Sequence, residues 1–286
     1  MAASLASGDS RVALPYLGPL DLPLLLRYFE RRAIGGVEHV DLGAGTYRRT
    51  VVVDGSPRIL ELSVGSGGAG HDGDPRLRLT DPAGRPLPAP DLEVVERARH
   101  IFSLDADPTA ALAHLRGDGE LWAAMNTDPG LRVPGTWDPF ETGVRAIVGQ
   151  QVSVAGASTI TGRIARRAGL PLPAGVTGLT HLFPTAEALA AADLAGVGMP
   201  TARIAAVTAW ATAVAGGAVR LDGVVHRPAD GGARRLPGRR PGPAPGPRPG
   251  RSAQPRRPQR PGRALAPLAG PRRPAPLARR LRSLVP

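Results

Sequence analysis

The chain has no cysteine among its 286 residues, and aromatic residues make up only 3% of it. Without thiols there can be no disulfide, no zinc-thiolate cluster, no cysteine-ligated iron–sulfur centre and no thiol nucleophile. Lysine is also absent, so all 36 basic residues are arginine. Such a bias points to a GC-rich coding sequence rather than to a selected basic surface. No apolar run is long enough to read as a membrane-spanning helix. The opening MAASLASGDSR has no basic region ahead of an apolar core, so no secretory signal is expected and the expected compartment is cytoplasmic.

The formal charge of +12 would suggest an anionic partner, but it is unevenly placed. Residues 227–286 carry 16 Arg against one acid, Asp230, a net of +15, which leaves −3 for residues 1–226. Most of that last segment is Arg, Pro, Ala or Gly, and 15 of its positions are proline. Prolines at that density forbid long helices, and too little apolar surface remains to offset chain entropy. Residues 224–286 are therefore expected to be a disordered Arg/Pro-rich tail. The four dominant residue types have G or C at both leading codon positions, as a shifted reading frame through GC-rich DNA would produce.

Ahead of the tail the pattern is α+β. Residues 1–12 read as a flexible N-terminus and 13–90 as a small domain with an antiparallel sheet. Asp21 to Arg32 has a cap and helical apolar spacing. Thr46–Val53 and Arg58–Val64 read as strands of a hairpin around the turn Asp54–Pro57, and Arg76–Thr80 alternates as a third strand. His71 and Asp72, between those strands, have no ligand set around them. From Asp91 the pattern turns helical, with Leu92, Val95, Ala98 and Phe102 expected on one buried face. Asp107-Pro108 opens another helix, Glu120–Met125 a short turn, and Pro200 a helix over Thr201–Ala215 with Ile204, Val207 and Trp210 inward. Residues 91–223 form the expected helical domain.

At its centre lies GTWDPFETGVRAIVGQQVSVAGASTITGRIARRAG, Gly135 to Gly169. Asp138 caps a helix, Pro139 suits its first position, and Glu141 stands three residues after the cap, the spacing of a capping box. Phe140, Val144, Ile147 and Val148 fall on one helical face. Gly149-Gln150-Gln151 interrupts it, and Ile160, Ile164 and Ala168 continue an apolar stripe beyond. By pattern alone this is two packed helices joined by a polar corner.

The wording carries more. Leu14 to Asp21, Tyr47–Thr50 (YRRT), Ile101–Pro108 (IFSLDADP), GLRVPGTWDPFE, VGQQVS and Gly196–Arg203 (GVGMPTAR) occur in an order that resembles the 3-methyladenine DNA glycosylase II group of helix-hairpin-helix glycosylases, over roughly residues 12 to 223. The resemblance implies a monofunctional base-excision repair enzyme for alkylated DNA. It would act without cofactor or metal, as a monomer on double-stranded DNA, with water as nucleophile. It places Gln150 at the flipped-base pocket and Gln151 at the position that fills the gap in the duplex. Trp137 and Phe140, just ahead, could face that pocket or pack in the core. An electron-rich ring suits a cationic alkylated purine. The resemblance also implies a later Pro-Gly-x-Gly-x-Trp-Thr-Ala hairpin and a catalytic Asp. Neither follows Thr201–Ala215, and Asp230 precedes the faint echo Leu236-Pro237-Gly238. The catalytic residue is therefore unassigned, and the helical domain is expected to be incomplete. The alternative is a catalytically dead remnant that binds nucleic acid non-specifically through its tail.

Overall fold

In chain order, β1 (Val12–Ala13), α1 (Leu22–Glu30), β2 (Glu38–Asp41), β3 (Thr46–Val53), β4 (Ser56–Ser63), β5 (Arg76–Thr80) and α2 (Leu92–Ile101) build the first half of the fold. The computed structural model describes residues 10–64, 74–173, 176 and 178–221. Residues 1–9, the pair His71–Asp72 and the segment 224–286, with the expectations attached to them, lie outside that range.

The hairpin is tighter than its turn residues suggested. Asp54 (φ 50°) and Gly55 (φ 67°) are both left-handed, which makes a two-residue turn whose twist matches that of the strands. Val53 therefore pairs with Ser56, and Ser56 and Pro57 belong to β4 rather than to the turn. The strands run in the order β1-β5-β4-β3-β2, all antiparallel. The outer strands β1 and β2, only two and four residues long, were too short to show periodicity. Val12, at the margin of the expected flexible terminus, pairs with Leu77.

Alternation sends Tyr47, Val51, Leu60, Leu62, Leu77 and Leu79 to one face, where Leu22, Leu25, Leu26 and Phe29 of α1 meet them. Val94, Ala98 and Ile101 of α2 enter the same core. Leu92, expected on that buried face, is 71% exposed, because it is the first residue of α2 and points to the other side. Phe29, Tyr47 and Phe102 meet edge-on or tilted with ring centroids 5.0–5.5 Å apart. On the opposite face Glu61 is held between Arg48 (2.8 Å) and Arg78 (2.6 Å) across three strands. Further along that face Thr50 donates to the carbonyl of His181 at 2.8 Å, so a segment of the helical half is laid over the sheet.

The second half contains α3 (Pro108–His114), a 3-10 turn at Leu115–Gly117, α4 (Gly119–Thr127), α5 (Pro139–Val148), α6 (Val154–Ala168), α7 (Ala186–Ala191) and α8 (Thr201–Ala215). Side chains of Asp107, Asp118, Asp138, Ser153 and Thr185 cap five of these helices. Phe140, Val144 and Val148 of α5 pack with Ile160 and Ile164 of α6, Leu189 of α7, and Val207 and Ala211 of α8. Trp210 lies flat on Phe140, with centroids 6.4 Å apart and planes within 7°, and donates its indole N–H to the Phe140 carbonyl at 3.2 Å. Phe140 is thus a core residue. Glu141 does not reach back to its cap; it turns toward the sheet, where two arginines meet it.

Candidate functional site

A cleft of ≈ 510 Å³ opens between α1, the sheet edge and the α5–α6 pair. Tyr28 and Arg32 stand on the α1 side, Trp137 on the connecting loop, and Gly149 and Val152 at the α5–α6 corner. The corner is built from the end of α5. Gly149 N–H bonds Arg145 O at 2.9 Å, and the side-chain amide of Gln150 donates to Ala146 O at 3.1 Å. Gln151 then reverses the chain with φ 58°, a left-handed conformation uncommon for a non-glycine residue. Ser153 restarts the helix by accepting from Gly156 N–H at 3.1 Å.

This arrangement leaves both glutamine side chains exposed. Gln150 and Gln151 sit between the cleft-lining Gly149 and Val152, at the edge of the cleft rather than on its wall. Trp137 does line the cleft, but it is only 6% exposed and its body belongs to the sheet-side core. Two guanidiniums already lie near its ring, Arg97 at 5.4 Å and Arg49 at 5.9 Å from the centroid. Tyr28 is the more open ring, and Arg32 lies over it at 3.9 Å.

The cleft floor is charged and largely buried. Glu38, Arg49 and Glu141 are buried, and with Arg145 they make a neutral quartet. Arg49 donates to Glu141 at 2.7 Å, and Arg145 Nε to the other Glu141 oxygen at 3.0 Å. Glu38 accepts from Tyr47 OH at 2.7 Å, from Ile34 N–H at 2.9 Å and from Arg145. Burial alone would raise the Glu38 carboxyl; Arg145 and Arg49 outweigh it and hold it below the ordinary carboxylate range. Burial, then the Glu38 charge, pushes the Tyr47 phenol well up. Glu38 and Glu141 are the carboxylates among the described cleft-lining residues. With their oxygens committed to arginine, neither is free to act as a base or to stabilise a developing cation.

Sequence reasoning missed Tyr28, Arg32, Glu38, Arg49 and Arg145. One signal was present: Arg49 has the same strand parity as Tyr47 and Val51, so a charged residue stands in a core-facing slot and must be paired. Nothing comparable marks Tyr28, which falls on the ordinary outer face of α1.

The model of the AlkA N-terminal domain family matches residues 11–138. A DNA-3-methyladenine glycosylase 2 of Escherichia coli is 32% identical over 215 residues, covering 71% of this chain and 67% of the relative. A probable bifunctional transcriptional activator/DNA repair enzyme AlkA of Mycobacterium tuberculosis is 32% identical over 82% of this chain, which spans 45% of that relative's length. Among solved structures, a 3-methyladenine DNA-glycosylase from Archaeoglobus fulgidus shares the fold at TM-score 0.54 and 20% identity, covering 70% of this chain and 66% of that one. The sheet, the capped helices and the VGQQVS corner thus stand in a chain that belongs to the 3-methyladenine DNA glycosylase II family.

Proposed function

We propose that this chain recognises alkylated bases in double-stranded DNA, as a base-excision repair glycosylase of the 3-methyladenine type, and takes the extruded base into the cleft between α1 and the α5–α6 corner. Extrusion costs a few kcal/mol of unstacking, least for a damaged base. Gln151, exposed at the turn, fills the vacated space, and Gln150 contacts the extruded base at the cleft edge. Trp137 supplies part of the wall.

The observation that carries this reading is the stack of Arg32 on Tyr28. A guanidinium is a planar, delocalised cation, and it sits 3.9 Å from the ring centroid at the cleft edge. An alkylated purine is also a planar cation, so it can take the guanidinium's place on the ring when Arg32 swings aside. The lesion's charge already weakens its glycosidic bond. Hydrolysis by water then needs a carboxylate beside the sugar, and among the described residues that line the cleft both acids are engaged. Excision therefore depends on an acid other than these two. The same observation favours the second reading, a chain that has kept recognition and lost excision, with non-specific contact through its arginine tail.

The test is binding of the full chain to duplexes carrying 3-methyladenine, an abasic-site analogue or no damage, with base release measured in parallel. Tyr28→Leu should weaken binding to the cationic lesion by about 1 kcal/mol while leaving undamaged DNA unchanged. Equal affinity for all three duplexes in the parent chain would sink the recognition reading. Lesion binding without base release would select the second one.

A further inference from the structure

Arg145 occupies an unusual crossing point. Its Nη2 donates to Glu38 of β2, its Nε to Glu141 one turn earlier at 3.0 Å, and its Nη1 to the carbonyl of Arg32 at 3.0 Å, just past the end of α1. The next turn of its own helix is the corner, since Gly149 N–H bonds the Arg145 carbonyl at 2.9 Å. One guanidinium thus ties the sheet, the α1 edge carrying Tyr28 and Arg32, and the helix end from which Gln150 and Gln151 emerge. Arg49 closes the lattice from below by bridging Glu38 (3.7 Å) and Glu141 (2.7 Å).

We propose that Arg145 is a positioning residue that fixes the width of the cleft by holding the Gly149–Gln151 corner at a set distance from the Tyr28–Arg32 edge. The inference rests on the reading of the cleft as a base site. A base lodged against Tyr28 and a side chain filling its place in the duplex must be one nucleotide apart in space. They come from different elements, α1 and the α5–α6 corner. Simple packing would not set that spacing well, because the cleft between them is open. The guanidinium fork can, since its donors are directional and its three acceptors belong to three separate elements. Lysine, with the same charge but no planar fork, cannot meet all three at once.

The absence of cysteine makes a direct test practical. Arg27→Cys on α1 and Ala155→Cys on α6, both exposed positions, accept nitroxide labels without competing thiols. Pulsed electron paramagnetic resonance on the DNA-free full chain should give one narrow distance. Adding Arg145→Met should broaden or shift that distribution, and Arg145→Lys should do so to a smaller degree. Should Arg145→Met fail to fold, Arg145→Lys and Glu38→Gln carry the test. An unchanged distribution in a folded variant overturns the proposal whatever the chain does with DNA. In parallel, the affinity ratio for abasic-analogue over undamaged duplex should fall about tenfold or more in Arg145→Lys, in line with the steep cost of small displacements in such sites. A shifted distance with an unchanged ratio would also overturn the positioning role. A parent chain with no preference at all would instead refute the base-site reading, leaving the distance measurement to decide this one.

Discussion

Gln151 shows how a single residue can be strained and exposed at once. Its left-handed φ of 58° costs an ordinary residue roughly 1–2 kcal/mol, and no burial offsets it. Gln151→Val should therefore destabilise the fold by about 1–2 kcal/mol in urea titration, although the side chain touches little, because branching at Cβ worsens the left-handed conformation. Gln151→Gly should stay within about 1 kcal/mol of the parent, relief of strain being balanced by a freer unfolded chain. It should nonetheless lose lesion preference. If the two variants are equally stable, the corner is not held in that conformation in solution. Glu38 makes a second prediction. Its folded pKa is lowered from 4.5 by Arg145 and Arg49 despite burial, so its contribution is complete above pH 4.5 and is lost as pH falls below it. Asp138 acts in the opposite sense. Burial and then Glu141 raise its pKa above 3.8, so its share favours the fold at low pH and disappears as pH climbs. Glu38→Gln should lower stability at pH 7 and flatten the fall below pH 4.5. An acid limb as steep as the parent's would assign acid sensitivity elsewhere.

Among the elements, α5 is the one most constrained from two sides. A Cβ on Gly143 would lie 2.4 Å from Trp210, whose ring is pinned by its stack on Phe140 and its bond to the Phe140 carbonyl. Alanine for glycine normally gains about 1 kcal/mol inside a helix. Here the clash should reverse the sign, and Gly143→Ala should cost about 1–3 kcal/mol, as overpacking does. Trp210→Leu in the same chain should recover part of that loss, and simple additivity of the two changes would refute the contact. The ends of α5 were legible in the sequence: Asp138 caps it and Gly149 closes it. So were α1, α6, the β3–β4 pair and β5, because each carries a full period or a turn signal. Glu141 was not legible, since capping-box spacing and inward ion pairing look the same until β3 is known to bring Arg49 beneath it. The Gln150–Gln151 corner was visible as an interruption, but the cleft beside it was not. Its walls, Tyr28, Trp137 and Gly149, come from well-separated segments of the chain, which no local pattern connects.

At the scale of the whole molecule, charge and likeness part company. Residues 1–226 carry −3, and residues 227–286 carry +15. Non-specific DNA affinity should therefore reside in residues 227–286. Their removal should abolish most salt-sensitive binding and flatten the log–log salt dependence by about 0.9 for each phosphate the tail neutralises. Lesion preference, if the cleft supplies it, should survive the deletion. The family phrases run in order to Gly196–Arg203 and the helix after it, and then stop near Val225-His226 without a linker-like transition. Up to that point Glu, Val, Ile, Thr and aromatics are spread through the chain. Beyond it, four residue types coded by G or C at the first two codon positions fill most of the chain. A tail selected for binding DNA would account for the arginines. It would not account for the absence, beyond the same point, of the hairpin and the acid that the resemblance implies. We therefore predict that the nucleotide sequence downstream of Gly223, translated in the two other frames, contains a Pro-Gly-x-Gly-x-Trp-Thr-like hairpin followed by an Asp. Restoring that frame should recover release of 3-methyladenine, because the added Asp would be a carboxylate not already bound by Arg49 or Arg145. If neither frame encodes the hairpin, the frameshift is refuted, and the deletion experiment becomes the measure of what residues 227–286 bind.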